Sequence, residues 1–332
     1  MSDVYRIFGA EISPYSVKVR SYYRYKGIPH EWIVRSGETQ AESQKYAKLP
    51  LIPIVATPEE DGLQDSTPIL EKMEALFPEP SIHPNDASLT FLSALIEEFG
   101  DEWGNKWMFH YRWAAAADQT SAAERIVKTM MPTAEGESLT AMVDNIKQRM
   151  RDRVWFVGSN ERTAPQIEAS WNQAVDLLEA HLAERDFLFG ARPCFGDFGL
   201  WGQIYNAWTD PTCGGILNER GNSVVAWVER MLEPKAGGEF ESWETLEPTL
   251  APFLESQIGR LFLPWSDANA TAIETGAEEF SVRLGENTWD QKPQKYHARS
   301  LKVLRARYAA VGDKSALDPI LEKTGCLEWL QA

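Results

Sequence analysis

Residues 49–57 read LPLIPIVAT, and the proline in the middle restricts this chain more than any other single residue. Ile52, Ile54 and Val55 have the branched, apolar character of a strand, yet Pro53 has no backbone N–H to give to a ladder. A central strand is therefore not expected to begin before it. A cis Ile52–Pro53 bond at the strand's entrance resolves the conflict. It also leaves the N–H and C=O of Ile52 free to pair with an extended ligand.

The flanking segments give this strand neighbours. VYRIFG (4–9) is a β-rich run, and Ser13 stands directly before Pro14, the pairing of N-cap and first helical position. That helix is expected to run to Lys26 and stop at Gly27, with Pro29 beyond it. HEWIVR (30–35) alternates like a second strand. A β-α-β opening implies a parallel pair with a right-handed crossover. After the turn PEEDG, GLQD (62–65) is a short strand, and STPILEKMEALFP starts a helix with Thr67 as cap and Pro68 as its first residue.

The remainder reads as helix. Periodic segments fall at 86–100, 101–117, 138–157, 164–184, 196–207 and 222–232, with Thr163 and Gln166 spaced as a capping box before the fourth. A Pro/Gly-rich break at 233–242 precedes helices at 243–263 and 266–279, a hairpin at 280–291, and helices at 295–310 and 315–324.

Composition excludes several classes. A chain of 332 residues exceeds one ordinary core, so more than one domain is expected. A formal charge of -16 disfavours binding to nucleic acid or to anionic membrane surfaces. There is no apolar run of membrane-spanning length, no signal-peptide pattern and no Gly-rich phosphate loop. Cys194, Cys213 and Cys326 lack ligand spacing, which suits a reducing cytoplasm. Near the N-terminus, SPYS (13–16) has the spacing of a redox C-x-x-C pair with hydroxyls in place of both sulfurs. Thiol–disulfide exchange needs a sulfur nucleophile, so a dithiol reductase is not expected.

The order β-α-β-(α)-β-β-α, with a proline opening the third strand and Asp65-Ser66 at the last strand-to-helix junction, is that of a thioredoxin-like domain. Residues 1–80 resemble the N-terminal domain of the glutathione transferase superfamily. FLFGARPCFGDFGLWGQIY (187–205) resembles the approach to the buried sixth helix of that family's second domain, where a Ser/Thr cap is followed three residues later by Asp. Here Asp197 is present and Cys194 takes the cap, so either Asp197 does most of the work or the cap has moved.

The resemblance implies an α+β thioredoxin-like domain (1–80), an all-helical domain (86–235) and a mostly helical extension (236–332) packed on the helical domain. It implies glutathione as co-substrate, a small apolar electrophile as second substrate, a homodimer, and no metal. In the serine-using classes the hydroxyl at the position of Ser13 meets the glutathione sulfur, which makes Ser13 the catalytic candidate; the competing reading is that Ser13 only caps its helix. Ile52 and Pro53 would hold the peptide backbone, and Asp65 and Ser66 the γ-glutamyl end, with Asp65 one methylene shorter than the usual acid. Lys45 or Lys48 would meet the glycyl carboxylate. Tyr15, Trp107, His110 and Tyr111 would form the hydrophobic co-substrate site. Glu98, Glu102 and His110 allow a metal site to be conceived, but the Glu-x-x-His pair of di-metal bundles is absent, and an aromatic-rich helix is the better reading. Two functions remain: glutathione-dependent transfer, or a non-catalytic binding or assembly module on the same fold.

Overall fold

A computed structural model describes residues 4–332. The first domain contains β1 (Tyr5–Gly9), α1 (Pro14–Tyr25), β2 (His30–Val34), α2 (Gln40–Ser43), β3 (Ile54–Ala56), β4 (Gly62–Gln64) and α3 (Ser66–Leu76). The strands form one sheet in the order β2-β1-β3-β4, with β1 parallel to β2 and antiparallel to β3, and β4 antiparallel to β3. The Ile52–Pro53 bond is cis, and β3 begins after the proline. Alternation along β1 divides the two faces. Tyr5 and Ile7 join the main core, while Phe8 packs with Ile54 and Ala56 beneath Tyr46, Ala47 and Ile52. That second cluster holds the loop before Pro53 against the sheet.

Helix α1 starts and stops where its local signals place it. Ser13 caps it, Pro14 opens it, and Gly27 follows at φ 62°, a backbone region that favours glycine. Helix α3 departs from expectation. Its N-cap is Asp65, Ser66 is already helical, and the Thr67 hydroxyl does not cap. It is drawn instead to charged groups on other helices, which give it stronger hydrogen bonds than a cap.

The second domain contains α4 (Ala87–Phe99), α5 (Asn105–Ala114), α6 (Ala116–Met130), α7 (Gly136–Arg151), α8 (Ala164–Leu182), α9 (Phe195–Trp208), α10 (Pro211–Arg220) and α11 (Asn222–Arg230). A π-helical turn, Gly100–Gly104, joins α4 to α5 without a break. The sequence reading did not assign α6 or α10. At α8 the expected capping box is not made. Thr163 is buried, and its hydroxyl bonds the Gly158 carbonyl, while the Gln166 side chain reaches the Thr288 carbonyl at 2.9 Å. At α9 the expected acid does act. Asp197 accepts from the Cys194 N–H at 2.8 Å, the Leu188 N–H at 2.9 Å and Trp227 Nε1 at 2.8 Å. Full burial still pushes its carboxyl up to about 6.

Helix α9 fixes the position of α1. A Cβ on Gly199 would stand 2.7 Å from the Glu97 carbonyl oxygen, and one on Gly202 would stand 2.7 Å from that of Pro14. Bare backbone at these positions lets α4 and the first turn of α1 rest directly on α9.

The extension contains α12 (Trp243–Phe253), α13 (Leu263–Thr275), a hairpin of β5 (Phe280–Leu284) and β6 (Asn287–Gln291), α14 (Lys295–Ala310), α15 (Leu317–Lys323) and α16 (Leu327–Gln331). A π-helical stretch, Leu254–Phe262, makes α12 and α13 continuous where the sequence suggested a break. Leu301, Leu304 and Tyr308 of α14 join the main core, with Tyr308 edge-on to Phe91. Helix α14 thus packs on α4, and it also reaches the first domain. Tyr296 bonds Asp65, and Arg307 pairs with Glu71.

Candidate functional site

Phe8 lies opposite Ile54, and Ile54 lies opposite Gln64. The exit of β1, the entrance of β3 and the exit of β4 therefore stand side by side at one edge of the sheet. Helices α1 and α3 both begin just past that edge. Two N-termini there present unpaired N–H groups and positive dipole ends, which favour anions.

Ser13 is half-buried, and its Oγ accepts from the Ser16 N–H at 3.3 Å and from the Ser16 hydroxyl at 3.0 Å. Both bonds use oxygen lone pairs, so the Ser13 hydroxyl proton is still available to donate. Ser16 is fully buried. The two serines of SPYS thus form a unit in which the inner hydroxyl aims the outer one.

At β3 the approach to Pro53 is held by Gln64. Its Oε1 accepts from the N–H groups of Lys48 at 3.1 Å and Leu49 at 3.0 Å, and its Nε2 donates to the carbonyls of Leu49 and Leu51, each at 2.7 Å. Asp65 follows at φ 77° and ψ 126°, a conformation that disfavours a residue with a Cβ. This backbone turn aims the Asp65 carboxylate along the edge and brings Ser66 into the first turn of α3. Burial raises the Asp65 carboxyl above its ordinary range, opposed by Lys18 and the Tyr296 hydroxyl.

Behind this edge lies a charged cluster that joins the two domains. Lys18 is 0% exposed, and its Nζ donates to Glu97 Oε1 at 2.5 Å, Asp101 Oδ2 at 2.6 Å and Thr67 Oγ1 at 3.1 Å. Burial alone would favour loss of its proton, but Asp101 and Glu97 hold it above the ordinary lysine value. Tyr15 donates to the Asp101 carbonyl at 2.9 Å and accepts from Asn105 Nδ2 at 2.5 Å. Burial pushes Asp101 up to about 7 and Glu102 up to about 8. Helix α14 closes over these acids, with His297 on Glu102 and Ser300 on Glu98. Burial and nearby Lys106 depress His297 to about 3, so the ring is neutral at physiological pH. Lys106, 1% exposed, sits 3.6 Å from the Trp265 ring centroid, with Trp103 and Trp289 around it, and donates to the Val157 carbonyl at 3.2 Å. Burial holds its amine well below the ordinary value.

The structure brings Ser13, Ile52, Pro53, Asp65 and Ser66 to one edge, and it places Tyr15 against the π-helical turn. It does not bring the remaining expected residues there. Trp107 is wholly buried and donates to Ser170 at 2.9 Å, and Tyr111 packs against Trp171. His110 bonds Ser159 at 2.8 Å and Glu168 at 3.2 Å, away from Glu98 and Glu102. These three belong to the packing of α5 on α8. Among the described residues, no three His, Cys, Asp or Glu side chains are grouped to hold a metal. Lys45 and Lys48 are both exposed. The side chains that do gather behind the edge are polar: Tyr15, Asp101, Glu102, Asn105 and Tyr296.

Comparison with known families agrees with this layout. Residues 7–81 match the model of the glutathione S-transferase N-terminal domain, and residues 160–230 match that of the C-terminal domain. These two segments belong to the glutathione transferase superfamily. The chain's mixed α/β domain followed by a helical domain is the fold of that superfamily, and the extension lies beyond both matched segments. Among similar solved structures, a beta-etherase from Sphingobium is 18% identical over 68% of this chain and 94% of its own, with a TM-score of 0.44. A glutathione S-transferase from Pseudomonas fluorescens is 17% identical over 68% and 93%, with a TM-score of 0.39. A glutathione S-transferase from Methylobacterium radiotolerans, in complex with glutathione sulfonate, is 18% identical over 70% and 92%, with a TM-score of 0.38. Among curated proteins no relative matches.

Proposed function

We propose that this protein is a glutathione-dependent transferase in which Ser13 stabilises the thiolate of bound glutathione. The observation that carries the reading is the hydrogen-bond state of Ser13. Both of its bonds within the chain are accepted ones, from Ser16, so capping and sulfur contact do not compete. The hydroxyl proton can donate to sulfur while the lone pairs cap α1. A free thiol titrates near ~8.5 and is mostly protonated at neutral pH. An O–H donor and the positive end of α1 both favour the thiolate.

Around that atom, the backbone of Ile52 would pair with the cysteinyl segment. Asp65 would meet the γ-glutamyl ammonium, and Ser66 with the first N–H groups of α3 its carboxylate. The thiolate would then attack an electrophilic carbon brought to the cleft, forming a C–S bond as that carbon's electron pair leaves with a departing anion or moves into an adjacent conjugated acceptor, with orientation and exclusion of water supplying much of the rate. The position of α14, whose side chains already engage Asp65, Glu98 and Glu102, favours a second reading. On that reading the protein is a binding or assembly module without turnover.

Substitution of Ser13 by Ala tests the proposal. The apparent pKa of bound glutathione, followed by thiolate ultraviolet absorbance, is expected to rise by about one unit, the equivalent of one hydrogen bond of ~1.4 kcal/mol. Affinity for glutathione should change less. A stability loss of about 0.5–2 kcal/mol with an unaltered thiol titration would reduce Ser13 to a cap. Absence of glutathione binding to the unmodified protein in calorimetry would favour the module.

A further inference from the structure

The geometry points to Tyr296, on the C-terminal extension, as a ligand-binding residue of the γ-glutamyl subsite. There it shares the ligand's ammonium group with Asp65. The inference rests on the glutathione reading above and adds to it a residue from outside both family domains.

Tyr296 lies in the first turn of α14, and its hydroxyl stands 3.3 Å from each carboxylate oxygen of Asp65. One proton shared between two oxygens leaves most of the carboxylate's lone pairs free, and the tyrosine oxygen can itself accept. A primary ammonium has three N–H donors. It can span one Asp65 oxygen and the Tyr296 oxygen together, which neither could offer alone. Asp65 is one methylene shorter than glutamate, and a second acceptor beside it offsets the shorter reach.

The placement of Tyr296 is not required for packing. The residue is 51% exposed, so the ring fills no core, while its hydroxyl is turned inward among Asp65, Glu102 and Asp101. Helix α14 is pinned without it, by Leu301 and Leu304 in the core, by His297 on Glu102, by Ser300 on Glu98 and by Arg307 on Glu71. What those contacts achieve is to hold the Tyr296 hydroxyl over Asp65, itself in a disfavoured backbone conformation. A half-exposed tyrosine whose polar end alone is tethered, at the rim of the edge where two helices begin, is placed as a ligand contact.

The test is calorimetric titration of the full chain and of Tyr296→Phe with two ligands: glutathione, and glutarylcysteinylglycine, which is glutathione without its α-amino group. Tyr296→Phe is expected to weaken glutathione binding about three- to tenfold, the range of one hydrogen bond, and to leave the des-amino ligand unchanged. Unaltered glutathione affinity overturns the inference. So does an equal loss for both ligands, which would mean the ring acts through the shape of the cleft. Tighter glutathione binding also overturns it, because the hydroxyl would then be a competitor for Asp65. If the unmodified chain binds neither ligand, the glutathione reading itself fails, an outcome distinct from the other three.

Discussion

Lys18 and Lys106 are both sealed from solvent, and the chain treats them in opposite ways. Lys18 is surrounded by Glu97, Asp101 and Thr67, and remains charged. Lys106 lies among three indole rings with one carbonyl acceptor, and its amine is pushed well below the ordinary value. Each joins two parts of the molecule. Lys18 links the first domain to α4 and the π-helical turn, while Lys106 links α5 to Trp265 and Trp289 of the extension. A buried cation is retained as a cation where carboxylates arrive with it. Where aromatic faces surround the amine and the facing carboxyl is itself raised by burial, desolvation outweighs the attraction and disfavours the charge.

The largest expected effect breaks this comparison at its charged end. Lys18→Met leaves Glu97 and Asp101 buried without their counter-charge, and should destabilise the protein by about 3–5 kcal/mol in urea unfolding. Adding Glu97→Gln and Asp101→Asn to that variant should restore much of the loss, because the orphaned charges are then gone. If Lys18→Met alone is harmless, the cluster is not what holds the domains together.

Glu102, which faces Lys106 and His297, sharpens the comparison through pH. Its carboxyl titrates near 8 in the folded protein and near 4.5 once unfolded, so the native state binds the extra proton between those values. Its contribution to stability is full below about 4.5 and is lost as pH rises through 8, with a slope approaching about 1.4 kcal/mol per pH unit. Asp101 acts in the same direction up to about 7. Glu102→Gln should flatten the fall in unfolding free energy between about pH 5 and 8. A profile of unchanged steepness would place the titration elsewhere.

The smallest effect is expected at the aromatic end. Lys106→Met replaces an amine whose charged form burial disfavours with an apolar chain of similar length, so thermal and urea unfolding should shift by about 1 kcal/mol or less. A loss comparable to that of Lys18→Met would show that Lys106 is charged, with the indoles supplying cation–π attraction.

Much of the first domain was legible because its signals are short-range. Ser13 before Pro14, Gly27 at the end of α1, and Pro53 at the entrance of β3 act within a few residues of themselves. Asp197 was legible for the same reason, since it bonds Cys194 three positions away. The edge proposed to take glutathione was partly legible, because Ser13, Ile52, Asp65 and Ser66 each sit at an element boundary that the pattern marks. Thr67 was misread as a cap because its sequence position suits one, while Glu97, 30 residues on, offers its hydroxyl a charged partner. Gln64 carried no signal, since its four bonds go to loop backbone. Trp107, His110 and Tyr111 were assigned to the cleft by resemblance, but the rotation of α5 turns them into the helical core. The continuity of α4 with α5, and of α12 with α13, was hidden because one π-helical turn shifts the apolar phase that marks a helix face.

The sequence by itself determined where the chain turns, which helices start at serine or proline, and which sheet edge receives two helix N-termini. Those choices depend on dihedral restrictions and on hydrogen bonds spanning a handful of residues. Only the tertiary structure decided which charges meet. Lys18 finds Asp101 across 83 residues, and Tyr296 finds Asp65 across 231. The energy of a buried polar group is set by the partner that arrives beside it, and no local pattern records that partner.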